Sequence, residues 1–356
     1  MRDVAGTAGV SLKTVSRVVN GEPGVRPETA QRVRAAIARL GFTRNDLARG
    51  LRHGRAGALG LVIEDVANPF YSAIARTVED AAHARGHILI TGSCEEDAER
   101  ERQLVLRLLR RAVDALLIVP AGGDHRYLLP ELGGGTPVVF LDRPPQGVDA
   151  DTVLLDNVGG ARLGVEHLVR QGHERIAFVG DPPALYTARE RLAGYRAALA
   201  GAGLPLREEL VRAGSHDAAS AQAATRALLA LPATRRPTAI FSANNRNTIG
   251  ALRALREAAR PTALVGFDDF ELADMLATPV TVVRHAPEEM GRLGAELAYA
   301  RLDGDRGLPA RRTIACELVE RGSGEIAPPR RRAARGPAPA PVEAGVPVIA
   351  TGGQAA

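Results

Sequence analysis

The segment Gly9-Val-Ser-Leu-Lys-Thr-Val-Ser-Arg-Val-Val-Asn-Gly reads as a short polar-capped helix. It presents Leu12, Lys13, Ser16 and Arg17 on one side and turns Val15, Val18 and Val19 to the other. Lys13 is the sole lysine; every other basic residue is arginine. A helix that displays such side chains near a chain terminus, with further basic helices after it, is suited to reading a DNA major groove. A second group of polar residues lies farther along: Asp65 with Asn68-Pro-Phe-Tyr71, Asp142-Arg143, Arg189-Glu-Arg191, Ser242-Ala-Asn244 and Gly266-Phe-Asp-Asp269. Each cluster alone fits a helix cap or a loop ion pair as well as a ligand contact.

The elements that position these residues follow from capping and periodicity. Residues 3–8 carry small and apolar side chains at helical spacing, and Gly9 permits a tight turn. Ser11 is a good N-cap for a helix running to about Asn20, where Gly21 stops it. Pro27 suits the first position of a third helix ending near Leu40, with Val33, Ala36, Ile37 and Leu40 as its apolar stripe. Three short helices with a glycine turn make a helix-turn-helix unit; a small bundle with a solvated basic face fits the same composition. After the linker His53-Gly-Arg-Ala-Gly, apolar β-type runs at 59–63, 88–91, 115–119 and 138–141 alternate with amphipathic segments such as 72–84 and 100–109. The alternation restarts at 176–179 and continues at 239–242, 263–265 and 281–283. The expected fold is α/β, two similar open parallel sheets behind a helical head, with a ligand cleft beyond the carboxyl ends of the strands.

Bulk properties narrow the function. A chain of 356 residues, 45% apolar, is large enough for two or three domains. No apolar run approaches the ~20 residues of a membrane span and the N-terminus has no apolar signal region, so a cytoplasmic protein is expected. Cys94 and Cys316 form no metal-type pair, and neither a disulfide nor a metal site is expected. Residues 1–55 hold 11 Lys+Arg against 4 Asp+Glu, whereas residues 56–327 hold 31 against 36. A basic head on a mildly acidic body points to a polyanionic partner for the head alone. Phosphate-loop, zinc-protease and serine-hydrolase motifs are absent; Gly133-Gly-Gly reads as a turn, and His167 and His173 as surface or packing residues. No enzyme activity and no cofactor are expected. Residues 328–356, rich in Pro, Ala and Gly around Arg330-Arg-Arg, read as a disordered tail.

Several phrases resemble the lactose/galactose repressor family: Asp3-Val-Ala, Ala8-Gly-Val-Ser, Thr14-Val-Ser-Arg-Val-Val-Asn-Gly, Arg32-Val-Arg-Ala-Ala-Ile, Leu40-Gly-Phe and Asn45-Asp-Leu-Ala-Arg-Gly-Leu. The resemblance runs to about Ile326. It implies that Leu12, Lys13 and Arg17 read bases, with Lys or Arg meeting guanine acceptors and Leu12 a thymine methyl. Ser11, Thr14, Ser16, Asn20 and Thr29 would then hold phosphates. Residues 45–51 would form a hinge helix that orders on DNA, with Leu51 as the wedge that opens a central base step; a plain linker helix is the alternative. Gly50 there costs about 1 kcal/mol of helix propensity relative to Ala.

In the body, the resemblance implies an effector pocket with Asp142, Arg191, Asn244 and Asp268 as polar contacts and Tyr71 and His216 on its wall. Such a set suits bidentate hydrogen bonding to vicinal hydroxyls or a carboxylate. Three departures stand out. His216 occupies a place where many members carry an aromatic platform, and Asn245 replaces the acid that usually follows Asn244. Met1 falls within the first helix, where the family has a few more residues before Arg2, so a start assigned too late is expected. The implied organisation is a DNA-binding head over 1–44, a hinge and linker over 45–57, a two-lobed effector and dimerisation domain over 58–327, and the tail over 328–356. The implied function is a ligand-responsive repressor that binds a near-palindromic DNA operator as a homodimer and takes a sugar-like effector. A sequence-indifferent DNA binder, or a binding module with no regulatory role, is the other reading.

Overall fold

The structure is a computed structural model that describes residues 1–42 and 57–329. The proposed hinge with Leu51, and the tail from residue 330 onward, lie outside the described residues.

The N-terminal helices obey their capping signals. α1 (Arg2–Ala8) follows Met1, which makes no side-chain cap bond and flanks the helix rather than lying within it; Gly9 ends the helix in the left-handed region. α2 (Leu12–Asn20) is capped by Ser11, whose Oγ accepts the Thr14 backbone N–H at 3.2 Å. α3 (Pro27–Leu40) starts on its proline, whose missing N–H costs nothing in a first turn. Val4, Val15 and Val33, one from each helix, are buried at the centre of a small core with Ala5, Ala8 and Ala36. Val18, Val19 and Ile37 pack against it. Leu40 departs from the expected stripe: it is 42% exposed, because the helix ends there and Phe42 covers the core after the turn at Gly41.

The remaining described chain builds two lobes on two six-stranded sheets. The first contains β1 (Ala58–Ile63), β2 (Ile88–Ser93), β3 (Ala115–Ile118), β4 (Val138–Leu141), β5 (Asp151–Leu155) and, from late in the chain, β11 (Arg311–Ile314). Their spatial order is β11-β5-β4-β3-β1-β2, all parallel. The second contains β6 (Ile176–Gly180), β7 (Val211–Ala213), β8 (Ala239–Ser242), β9 (Ala263–Phe267), β10 (Thr281–Arg284) and β12 (Glu317–Val319). It repeats the first in the order β12-β10-β9-β8-β6-β7, except that β12 runs antiparallel to β10. The central strands are buried at every position because helices cover both faces, which explains their unbroken apolar runs.

α4 (Pro69–Ala84), α5 (Ala98–Arg110), α6 (Leu129–Gly134) and α11 (Pro287–Leu302) cover the first sheet. α7 (Asn157–Arg170), α8 (Tyr186–Gly201), α9 (Ala218–Leu229) and α10 (Asn245–Ala258) cover the second. The chain therefore crosses between lobes three times among the described residues, from β5 to α7, from β10 to α11 and from β11 to β12. Gly133-Gly-Gly is not a free turn: its first two residues end α6 and Gly135 is the left-handed cap. His167 and His173 are buried packing residues; His173 bridges Thr238 and the Ile326 carbonyl, each at 2.9 Å. Both cysteines are free, and no helix among the described residues is long and apolar enough to cross a membrane.

Candidate DNA interface and effector cleft

α2 carries its candidate DNA-reading side chains where the amphipathic pattern demands. Val15 anchors the buried side, so positions 12, 13, 16, 17 and 20 share the opposite face. Leu12 is 47% exposed, and Lys13 beside it is open as well. The Arg17 Nε lies 3.9 Å from Glu22, a half-exposed pair that a phosphate or base edge can displace. Asn20 donates to Ser16 Oγ at 3.4 Å and to Glu22 at 3.2 Å. Ser11 and Thr14 share a 2.9 Å hydrogen bond at the helix start, and Thr29 lies half-buried in the first turn of α3. Capping fixes the helix that carries Leu12, Lys13 and Arg17, and freeing Arg17 requires only that its pair with Glu22 give way.

The second site lies at the carboxyl ends of the strands, between the lobes, which close on a cavity of only about 40 Å³. All six effector residues expected from the sequence line it: Tyr71, Asp142, Arg191, His216, Asn244 and Asp268. Arg191 comes from α8 and is buried, with Nε donating to Asn157 at 2.8 Å and Nη1 to the Ala243 carbonyl at 2.6 Å. Its guanidinium stacks 3.8 Å above the Phe267 ring and approaches Asp268 at 3.6 Å. Asp268 also accepts from His285 at 2.9 Å. Burial works to raise its pKa, but Arg191 and His285 outweigh burial and hold it below the usual carboxylate range.

Asn244 caps α10, accepting the Asn247 N–H at 2.7 Å, and its amide donates to Asp181 at 2.5 Å. It is thus both a helix cap and a contact within the site. Tyr71 is buried edge-to-face on Phe70, and its hydroxyl accepts from Arg143. His216 stands half-exposed, 3.9 Å from Asp181.

Residues that the sequence reading left out complete the cleft. Glu64 directly follows β1 and Asp181 directly follows β6, so the strand-end rule that selected Asp65 covers both. Arg143, noted beside Asp142 but given no role, forks onto Glu96 at 2.6 and 2.5 Å and donates to the Pro120 carbonyl at 2.8 Å. Arg246 of the second lobe donates to Glu64 at 3.1 Å and also to Asp65 in the first lobe. Asn245 donates to Asn68 across the same gap at 3.0 Å. Nothing local in the sequence shows that these side chains reach the other lobe.

Burial, reinforced by Glu96, raises Glu64 to about 7 against the pull of Arg143 and Arg246. Asp181 rises to about 6 from burial, against Arg191 and His216. Asp142 is also raised by burial, against Arg143 and Arg191. Glu96, Asp142 and Asp268 all hold left-handed backbone, which non-glycine residues adopt seldom and which here aims three carboxylates at one space.

Comparisons with known proteins match both parts of the chain. Residues 1–45 match the model of bacterial regulatory proteins of the lacI family, and residues 165–324 match a periplasmic binding protein-like domain. The ribose operon repressor of Escherichia coli K12 is 32% identical over 329 residues, covering 91% of this chain and 99% of that protein. A crystal structure of the Lac repressor dimer bound to operator and the anti-inducer ONPF superposes with a TM-score of 0.80 at 28% identity, covering 91% of this chain and 98% of the other. A complex of the transcriptional regulator CelR with cellobiose gives 0.67 at 33% identity, covering 90% and 98%. With its N-terminal DNA-binding helices and its two-lobed body, this chain belongs to the lacI family of bacterial transcriptional regulators.

Proposed function

We propose that the protein is a repressor that binds a near-palindromic operator as a homodimer and releases or tightens its grip when a small sugar-like effector occupies the cleft. Residues 1–44 read DNA, residues 45–57 link the head to the body, and residues 58–327 bind effector and dimerise. Lys13 and Arg17 contact base edges, Leu12 makes apolar contact, and Ser11, Thr14, Ser16, Asn20 and Thr29 set register on phosphates. Leu51 wedges the central base step.

The observation that carries this reading is the double seam across the cleft, Arg246 to Glu64 and Asp65, and Asn245 to Asn68. Such contacts favour the closed arrangement of the lobes, a ligand enclosed by both shifts that balance by its own difference in affinity for closed and open, and the balance is what can couple it to DNA. The similarity to a Lac repressor dimer on operator and to CelR with cellobiose supports the same partners here.

The test compares a candidate operator with random DNA of equal length in gel shifts across a salt series, with and without effector. Specific regulation predicts a preference for operator of about 10³-fold or more. Equal affinity for both sequences at every salt concentration would identify a sequence-indifferent binder instead.

A further inference from the structure

We propose that His167 and Glu325 hold a divalent transition-metal ion of the zinc, nickel and cobalt class. The site lies by the amino ends of β9 and β10, at the end of the second sheet opposite the effector cleft, and shares no residue with that cleft. The expectation of no metal site came from the spacing of the two cysteines, and this site uses neither.

His167 projects from α7 and is 1% exposed. One ligand-capable atom from each of His167, Glu320 and Glu325 lies within 4.8 Å of the other two. His167 Nε2 and Glu325 Oε1 are both buried without a hydrogen-bond partner among the described residues, although only 2.7 Å separates them. The oxygen therefore stands off the line along which the ring nitrogen would donate a proton. For a metal the same geometry is suitable. An ion about 2.1 Å from both atoms would meet them at roughly 80°, as a cis pair in an octahedral shell.

The surroundings prepare both ligands. Glu325 Oε2 accepts from the Thr281 hydroxyl at 2.8 Å and from the Gly322 N–H at 2.7 Å, which turns Oε1 toward the ring. Glu320, largely exposed, lies 3.5 Å from Nδ1. A carboxylate there draws the ring proton to Nδ1 and leaves the Nε2 lone pair for a metal. Gly324 passes the same nitrogen: a Cβ at that position would stand 3.0 Å from Nε2, so the glycine keeps the approach open. Imidazole with carboxylate selects borderline ions over Mg²⁺ and Ca²⁺, which prefer oxygen ligands alone. Bound there, the ion staples α7 to the turn after β12, where the chain has made its last crossing into the second lobe among the described residues.

The experiment is isothermal titration of the metal-stripped full-length protein with zinc, nickel and cobalt chlorides, against magnesium and calcium chlorides. At least one transition ion is expected to bind singly per chain, about tenfold or more tightly than Mg²⁺ or Ca²⁺, and to raise the melting temperature. Glu325→Gln and His167→Gln are expected to remove that binding. Glu320→Gln, at an exposed position, is expected to weaken it about tenfold. Circular dichroism establishes that the variants fold. Anomalous diffraction at the zinc edge from zinc-soaked crystals locates the ion without any variant: a peak beside His167 Nε2 upholds the site, and peaks only at other residues overturn it. Binding that persists undiminished in folded Glu325→Gln, Mg²⁺ affinity equal to that of every transition ion, or no binding at all overturns it as well.

Discussion

Asp142 and Asp268 occupy matching places in the two lobes. Each follows the strand that lies third in its sheet, β4 or β9, and each has positive φ, 64° and 67°. Each donates its backbone N–H to the next strand, to the Val153 carbonyl at 2.8 Å and the Val283 carbonyl at 3.0 Å. Aspartate and asparagine tolerate the left-handed region better than other side chains, so the residue type serves the turn as well as the pocket. Their charges diverge: Arg191 and His285 compensate Asp268, whereas burial dominates at Asp142. The duplicated backbone therefore presents two different carboxylates to one cleft.

Asp268→Asn and Asp268→Ala separate those two duties. Both remove the charge beside Arg191, so the effector-induced change in operator affinity, commonly about 5–150-fold for coupled sites, should vanish in effector-titrated gel shifts. Both keep the left-handed backbone, which asparagine tolerates and alanine does not, and thermal melts should show the alanine variant less stable than the asparagine variant by about 1–2 kcal/mol. A normal effector response in both variants would remove Asp268 from the pocket.

Arg17→Ala tests the DNA face. Among the described residues its side chain is held by a half-exposed pair with Glu22, so the fold should lose little. Preference for operator over a mutated half-site should fall by about 1–3 kcal/mol if Arg17 reads a base edge. Binding that weakens equally on every sequence would assign it to a phosphate instead.

Much of this architecture was legible because its signals are local. Ser11, Gly21, Pro27 and Gly41 mark helix ends, and the central strands are unbroken apolar runs because both faces are covered. The strands missing from the sequence reading, β5, β7, β11 and β12, are short or open on charged residues such as Asp151, Arg311 and Glu317. The same contrast separates the cleft residues. Those at strand ends announced themselves by position, whereas the reach of Arg246 to Glu64, across 182 positions of chain, depends on how the lobes close.

Gly194→Ala probes the seam between α7 and α8. An added Cβ at that position would sit 2.4 Å from the Val158 carbonyl oxygen, a backbone atom that cannot move aside as a flexible side chain would. Alanine would favour an isolated helix by about 1 kcal/mol over glycine, yet the clash requires the helices to separate and overpacking costs about 1–3 kcal/mol. A lower melting temperature is expected, and an unchanged or higher one would show that the helices part easily.

The contribution of Glu64 to stability should fall as pH rises from about 4.5 to about 7 in the ligand-free protein. Glu64 is pushed up to about 7, first by burial and then by Glu96; Arg143, Arg246 and the Tyr71 hydroxyl face it and oppose the rise. An acid with a raised folded-state pKa binds its proton more tightly when folded. Its contribution is therefore fully present below the unfolded value and lost as pH climbs through the folded one. Asp181, raised to about 6, acts in the same direction. Asp268 and Asp269 are held low and act oppositely, but their contributions disappear only as pH falls below the ordinary carboxylate range. Between pH 5 and 7 Glu64 and Asp181 should therefore pull stability down along a slope of on the order of 1–3 kcal/mol in total, while His173, held below the ordinary imidazole range by burial, pulls the other way. Glu64→Gln should flatten that slope in denaturant titrations at stepped pH. If the wild-type slope persists in the variant, the ionisation of Glu64 is not what the closed cleft resists.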